Sequence, residues 1–129
     1  MKYTIHDFIN SKGLNEFNTW AKGLQKYEKA KLREKLDKLI LHGDDLHPQM
    51  LSDTPVPGIQ KLRVHGPVQL RPLLCKGPLN IDEEYTMLMG AKEIGSKWSP
   101  KDAPKSANGN KNEIISDPVN RRKKHERFT

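Results

Sequence analysis

Apolar positions recur along this chain with two different periods, and the change of period divides it into elements. Residues Tyr3–Ile9 are rich in β-forming types and predict a short first strand, followed by a turn over Ser11–Gly13. Leu14, Phe17, Trp20, Ala21 and Leu24 then recur at helical spacing, predicting a first helix that ends near Gly23. On such a stripe Trp20 belongs to the core rather than to a stacking platform. The strongest helical pattern runs from Tyr27 to Leu41, with Leu32, Leu36, Leu39 and Ile40 on one face, a Glu34–Lys38 pair on another, and Gly43 as the stop. The two helices, joined around Gly23, are expected to form an αα-hairpin.

From Asp44 to Pro57 the pattern is that of a loop. Alternation then begins: Gly58–Val64 and Val68–Arg71 read as a β-hairpin turning at His65-Gly66-Pro67. Symmetric pairing about Gly66 places Val64 opposite Val68, Arg63 opposite Gln69 and Lys61 opposite Arg71. The period of two puts Ile59, Lys61, Arg63, Gln69 and Arg71 on one side and Leu62, Val64, Val68 and Leu70 on the other. Pro72 removes a ladder donor, so it is expected at an edge or a bulge. After a turn at Lys76-Gly77-Pro78 and the acidic Asp82–Glu84, Tyr85–Met89 predicts a third strand, with Lys92 at its rim. Ser99-Pro100 reads as a helix start, with Pro104 pushing that start later, Ile114 and Ile115 as anchors and Asp117-Pro118 as the end. Strands and helices segregated in this way predict an α+β fold, a helical hairpin packed on a small antiparallel β-sheet with a C-terminal helix. Residues 1–118 are read as a single domain and 119–129 as a basic tail, dispensable for folding.

Composition narrows the function. A chain of 129 residues supports one core. The hydrophobic share is 34%, low enough that part of the length is expected as loop or tail. A formal net charge of +7 favours a polyanionic partner, which could be RNA, DNA or an acidic protein surface. The single cysteine, Cys75, rules out an internal disulfide and fits a reducing compartment. No apolar run approaches the roughly 18–20 residues needed to span a bilayer, and no signal-peptide core is visible, so a cytoplasmic protein without a membrane partner is expected. The histidine spacings give no metal-ligand pattern and no phosphate-binding glycine motif is present, so neither metal nor cofactor is expected.

Candidate chemistry centres on the hairpin. Its polar face carries Lys61, Arg63 and Arg71 and no carboxylate. Like charges directly opposite on adjacent strands are destabilising, so a chain that keeps them gains from an anion, a phosphate above all, held between them. The alternative is a solvated basic face. Lys31 and Lys35 on the second helix, and Arg121, Arg122, Lys123 and Lys124 in the tail, are further candidates for contact with an RNA backbone, again with simple solvation as the alternative.

The helix with Trp20 and Leu24, the Leu32/Leu36/Leu39 helix ending in Gly43, the Gly58-Ile59-Gln60-Lys61-Leu62-Arg63-Val64 strand and the strand with Arg71 together resemble the RelE/HigB-like toxin superfamily. Tyr85–Lys92 and the helix after it fit the same order. Arg121-Arg122 and His125-Glu126-Arg127-Phe128 resemble its phage-derived members. The resemblance spans roughly residues 14–128. It implies a metal-independent endoribonuclease cleaving mRNA on the ribosome in a bacterial host cell, silenced by an antitoxin. It implies that Arg63 and Arg71 stabilise the phosphorane, that Lys61 is a possible base, and that Lys92 lies where such proteins place functional residues. The chain departs from the pattern at Pro72, at Cys75 and between Lys92 and Trp98. These departures leave open a non-catalytic phage-encoded protein of the same fold that binds and inhibits a host protein or nucleic acid.

Overall fold

The structure, a computed structural model, describes residues 2–127. Strand β1 (Thr4–Phe8) leads into α1 (Glu16–Lys22) and α2 (Lys26–His42). A 3-10 turn over Gly43–Leu46 and a short strand β2 (Leu51–Asp53) follow. Then come β3 (Gln60–Leu62), β4 (Gln69–Leu70), β5 (Leu73–Lys76) and β6 (Glu84–Met89). A hairpin of β7 (Lys92–Ile94) and β8 (Lys97–Ser99) precedes α3 (Ala103–Ser116), the single-turn α4 (Pro118–Arg121) and β9 (Arg122–Lys124).

The chain is therefore mixed α+β, with an antiparallel-rich sheet. Among the described residues the main sheet runs β2-β3-β5-β6-β1-β9, and β4-β7-β8 form a second, three-stranded sheet. The pairing β1–β6 is parallel and the others are antiparallel. Both faces of the main sheet are covered. On one, Phe17, Ala21, Leu24, Leu32, Leu36 and Leu39 of the helical pair pack with Ile5, Leu51, Leu62, Leu74, Tyr85 and Met87. On the other, Ala103, Ala107 and Ile114 of α3 pack with Phe8, Ile59, Leu73, Cys75 and Leu88. Ile59, expected on the polar face of the hairpin, is buried for this reason: α3 covers that face at Ile59 and Leu73 and leaves it open farther along β3.

Several expectations change in the structure. The hairpin is symmetric about Pro67 rather than Gly66. Lys61 faces Leu73, Val64 bridges Leu70, and the Leu62 N–H donates to the Pro72 carbonyl at 3.0 Å. The interval around residues 71–72 is where this strand leaves the main sheet for the smaller one. Pro72 can sit in it because it only has to accept, and the ladder slips by a residue between Leu73 and Leu74. Val68, expected on the buried side, is exposed, and Leu14 lies outside α1 in solvent. Trp20 packs against the core as expected, and Gly90 makes room for it: a Cβ at position 90 would lie 1.9 Å from Trp20 Cδ2.

The segment read as a detachable basic tail is part of the fold. Arg122–Lys124 pair with Phe8–His6, and the His125 N–H donates to the Ile5 carbonyl at 2.9 Å. The buried Asp7 carboxylate receives His125 Nδ1 at 2.9 Å and Asn15 Nδ2 at 2.9 Å, which ties the chain end to the start of α1. Arg122 neutralises the buried Glu84. Phe128 and Thr129, the last two residues of that segment, lie outside the described residues. No helix among the described residues is long and apolar enough to cross a membrane.

Candidate anion-binding cleft

Beyond the reach of α3, the exposed part of the sheet face meets the β7–β8 hairpin. Lys61, Arg63, Gln69, Arg71, Glu93 and Gly95 line a cleft of about 380 Å³ there. The continuous register between Lys61–Leu73 and Val64–Leu70 sets Arg63 directly opposite Arg71 at a non-hydrogen-bonded position, where side chains on facing strands approach most closely. The like-charge opposition expected for Lys61 and Arg71 is thus present, one pair along.

The three cations are held differently. Arg71 is buried: Nη1 donates to the Leu70 carbonyl at 2.8 Å and Nη2 to Gln69 Oε1 at 2.7 Å. Its Nε lies 3.3 Å from Glu93 Oε1, at ion-pair distance but without hydrogen-bond alignment. Burial lowers the pKa of this guanidinium, Glu93 opposes the shift and Arg63 reinforces it. Lys61 Nζ donates to Glu93 Oε1 at 2.7 Å and sits 5.4 Å from the centre of the Trp98 ring. The Arg63 backbone N–H is satisfied by the Met50 carbonyl, whereas its buried Nε has no hydrogen-bond partner among the described residues. Among the described residues one carboxylate therefore lines the cleft with three cations, and the guanidinium without an acceptor is that of Arg63.

Glu93 is the residue that the sequence pattern missed. The hairpin itself carries no carboxylate, as expected, but β7 delivers one to it. The signal was present in Ile94-Gly95-Ser96-Lys97, where a two-residue Gly-Ser turn separates two runs able to form strands. Gly95 adopts a φ of +65°, which that turn requires. Lys92, named with Lys61, Arg63 and Arg71, is not brought into the cleft. It pairs with Leu70 one position before Glu93, and alternation along a strand sends neighbouring side chains to opposite faces.

The helical candidates come closer. Lys31 Nζ donates to the His65 carbonyl at 3.1 Å, and Lys35 borders a hollow of about 200 Å³ with Gln49, Met50, Arg63 and His65. Arg121, Arg122, Lys123 and Lys124 do not join this group. They lie at the far edge of the main sheet, four strand spacings from β3, or about 19 Å. There Arg121 donates to the Asn10 carbonyl, Arg122 pairs with Glu84, and Lys123 and Lys124 are exposed. Cys75 is buried beneath α3, and burial pushes its thiol pKa up to about 12, which removes it from nucleophilic chemistry.

No family model, curated protein or solved structure matches the chain.

Proposed function

We propose that this protein is a RelE/HigB-like toxin that grips the phosphate backbone of mRNA in the cleft between β3, β4 and β7 and cleaves it there without metal, most productively on the ribosome. The observation that carries the reading is the opposition of Arg63 and Arg71 over an open cleft, two guanidinium groups whose mutual repulsion a bound phosphate would relieve. The element order supports it as well: a strand, a helical pair, then antiparallel strands and a terminal helix.

Cleavage by attack of a 2′-hydroxyl on the adjacent phosphorus needs a proton acceptor, a proton donor for the departing 5′-oxygen, and positive charge at the phosphorane. Arg63 and Arg71 supply the charge. Lys61 donates to a carboxylate, so the role of base passes from it to Glu93, the cleft's one acceptor-only group, and Lys61 is placed to act as donor. The test is incubation of purified protein with mRNA in EDTA, with and without ribosomes. The expected products end in a 2′,3′-cyclic phosphate opposite a 5′-hydroxyl, and Arg63→Ala abolishes them.

One observation favours a second reading. Glu93 already bridges Lys61 and Arg71, and no histidine lines the cleft. A non-catalytic protein of phage type that holds and blocks a host macromolecule needs only the basic surface. Growth arrest with intact mRNA, and a host protein recovered with the chain, would favour it. A partner antitoxin covering the same cleft fits the first reading.

A further inference from the structure

Arg63 is shared by two hollows. One is the cleft with Lys61, Arg71 and Glu93, and the other is the smaller hollow bordered by Lys35, Gln49, Met50 and His65. The two differ in charge balance. The cleft holds a carboxylate that meets two of its cations, whereas the smaller hollow has two cations, Lys35 and Arg63, and no acid among its lining residues. Neither of those two side chains has an ion pair or a hydrogen-bond acceptor among the described residues, and Arg63 Nε is buried without one. The third cation nearby, Lys31, donates to the His65 carbonyl at the rim.

From this geometry we infer a second phosphate site at Lys35, Arg63 and His65, so that a single-stranded polynucleotide lies across Arg63 with one phosphate in each hollow. The inference rests on the proposed reading of the main cleft and extends it from one phosphate to two. An uncompensated cation pair at a concave hollow has the chemistry of a phosphate subsite. A shared arginine, whose fork can offer donors to both sides, makes the two subsites consecutive along one strand. The half-buried Lys35 stem on α2 and the His65 turn, braced by Lys31, give the second subsite a fixed position relative to the first. A rigid duplex would present its phosphates along a convex surface, whereas two hollows that share one lining residue suit a strand that can fold around it.

The test uses the full chain and an uncleavable 2′-O-methyl hexaribonucleotide, with binding followed by fluorescence anisotropy across a salt series. Lys35→Gln should weaken binding on the order of five- to tenfold and flatten the slope of log K against log salt by about 0.7, the value for one lost single-strand phosphate contact. A dinucleoside monophosphate, which has a single phosphate, should bind Lys35→Gln and wild type alike. Lys35→Glu, a second variant at a half-exposed position, should remove hexamer binding while the thermal transition is retained. If Lys35→Gln binds the hexamer like wild type while Arg63→Gln does not, the second subsite is wrong and the cleft reading stands. If Arg63→Gln also binds normally, the cleft reading itself fails. Lys35-dependent binding of polyglutamate without binding of the hexamer would overturn the polynucleotide assignment in favour of an acidic protein partner.

Discussion

Arg63 and Arg71 stand opposite each other on paired strands, yet only Arg71 is bound into the protein. Its guanidinium is buried and donates to the Leu70 carbonyl and to Gln69, while that of Arg63 finds no acceptor among the described residues. Two chemically identical groups on one face therefore have different duties, one building the cleft and one waiting for a guest.

The consequence is separable by substitution. Arg71→Ala leaves Gln69 Oε1 without its donor and Glu93 with Lys61 alone, and is expected to cost about 1–3 kcal/mol of stability. Arg63→Ala removes a like-charge neighbour and should leave stability within about 0.5 kcal/mol of wild type. Both should lose affinity for single-stranded RNA. Urea denaturation alongside anisotropy checks the split, and equal destabilisation by the two variants would contradict it.

Glu93 is placed against Lys61 and Arg71 where a phosphate would sit, so it competes with any anion entering the cleft. Glu93→Gln is expected to raise affinity for an uncleavable oligoribonucleotide by about tenfold, as removal of a competing charge worth roughly 1.4 kcal/mol. The same variant should lose cleavage if Glu93 is the base. Tighter binding without turnover is the expected signature, and unchanged cleavage would remove Glu93 from the mechanism.

Truncation after Arg121 removes β9 and leaves Asp7 and Glu84 buried without His125 and Arg122. Leaving the buried Glu84 without Arg122 costs about 3–5 kcal/mol, and Asp7 also loses its His125 hydrogen bond, so the truncation is expected to abolish the cooperative thermal transition. Circular dichroism melting decides this. A truncated chain that melts like wild type would return residues 122–127 to the status of a detachable tail.

Cys75 offers a probe of folding. Burial beneath α3 holds its thiol protonated far above neutral pH, with a pKa of about 12. A thiol reagent at pH 8 should therefore label it only as fast as the chain unfolds. Rapid labelling of native protein would show that α3 does not cover the sheet as described.

Long, strongly periodic segments were legible in the sequence. Leu32, Leu36 and Leu39 repeat over about two turns of α2, and the Tyr85–Met89 run is β6 almost to the residue. Short strands were not. Leu51-Ser52-Asp53 and Arg122-Lys123-Lys124 have three residues each and no alternation, and they are strands because β3 and β1 offer them open edges. The hairpin was recognised, but its centre slipped by one residue. Its turn offers two neighbouring apex positions, Gly66 and Pro67, and alternation of side chains is unchanged when both partners keep parity. For the same reason the pattern sets Lys61, Arg63 and Arg71 on one face, while an apex at Gly66 opposes Lys61 to Arg71 and the observed apex at Pro67 opposes Arg63 to Arg71. The turn that makes the Glu93 strand is legible locally, but the arrival of Glu93 at the cleft is not, because that strand lies more than twenty residues from Arg71 in sequence.

The most direct measurement is amide and side-chain NMR of the full chain titrated with an uncleavable oligoribonucleotide. The account predicts that the guanidinium signals of Arg63 and Arg71, and the amides of Lys61, Gln69 and Glu93, shift first and saturate together. Shifts confined to β9 and the far edge of the sheet, with these five residues unmoved, would contradict it.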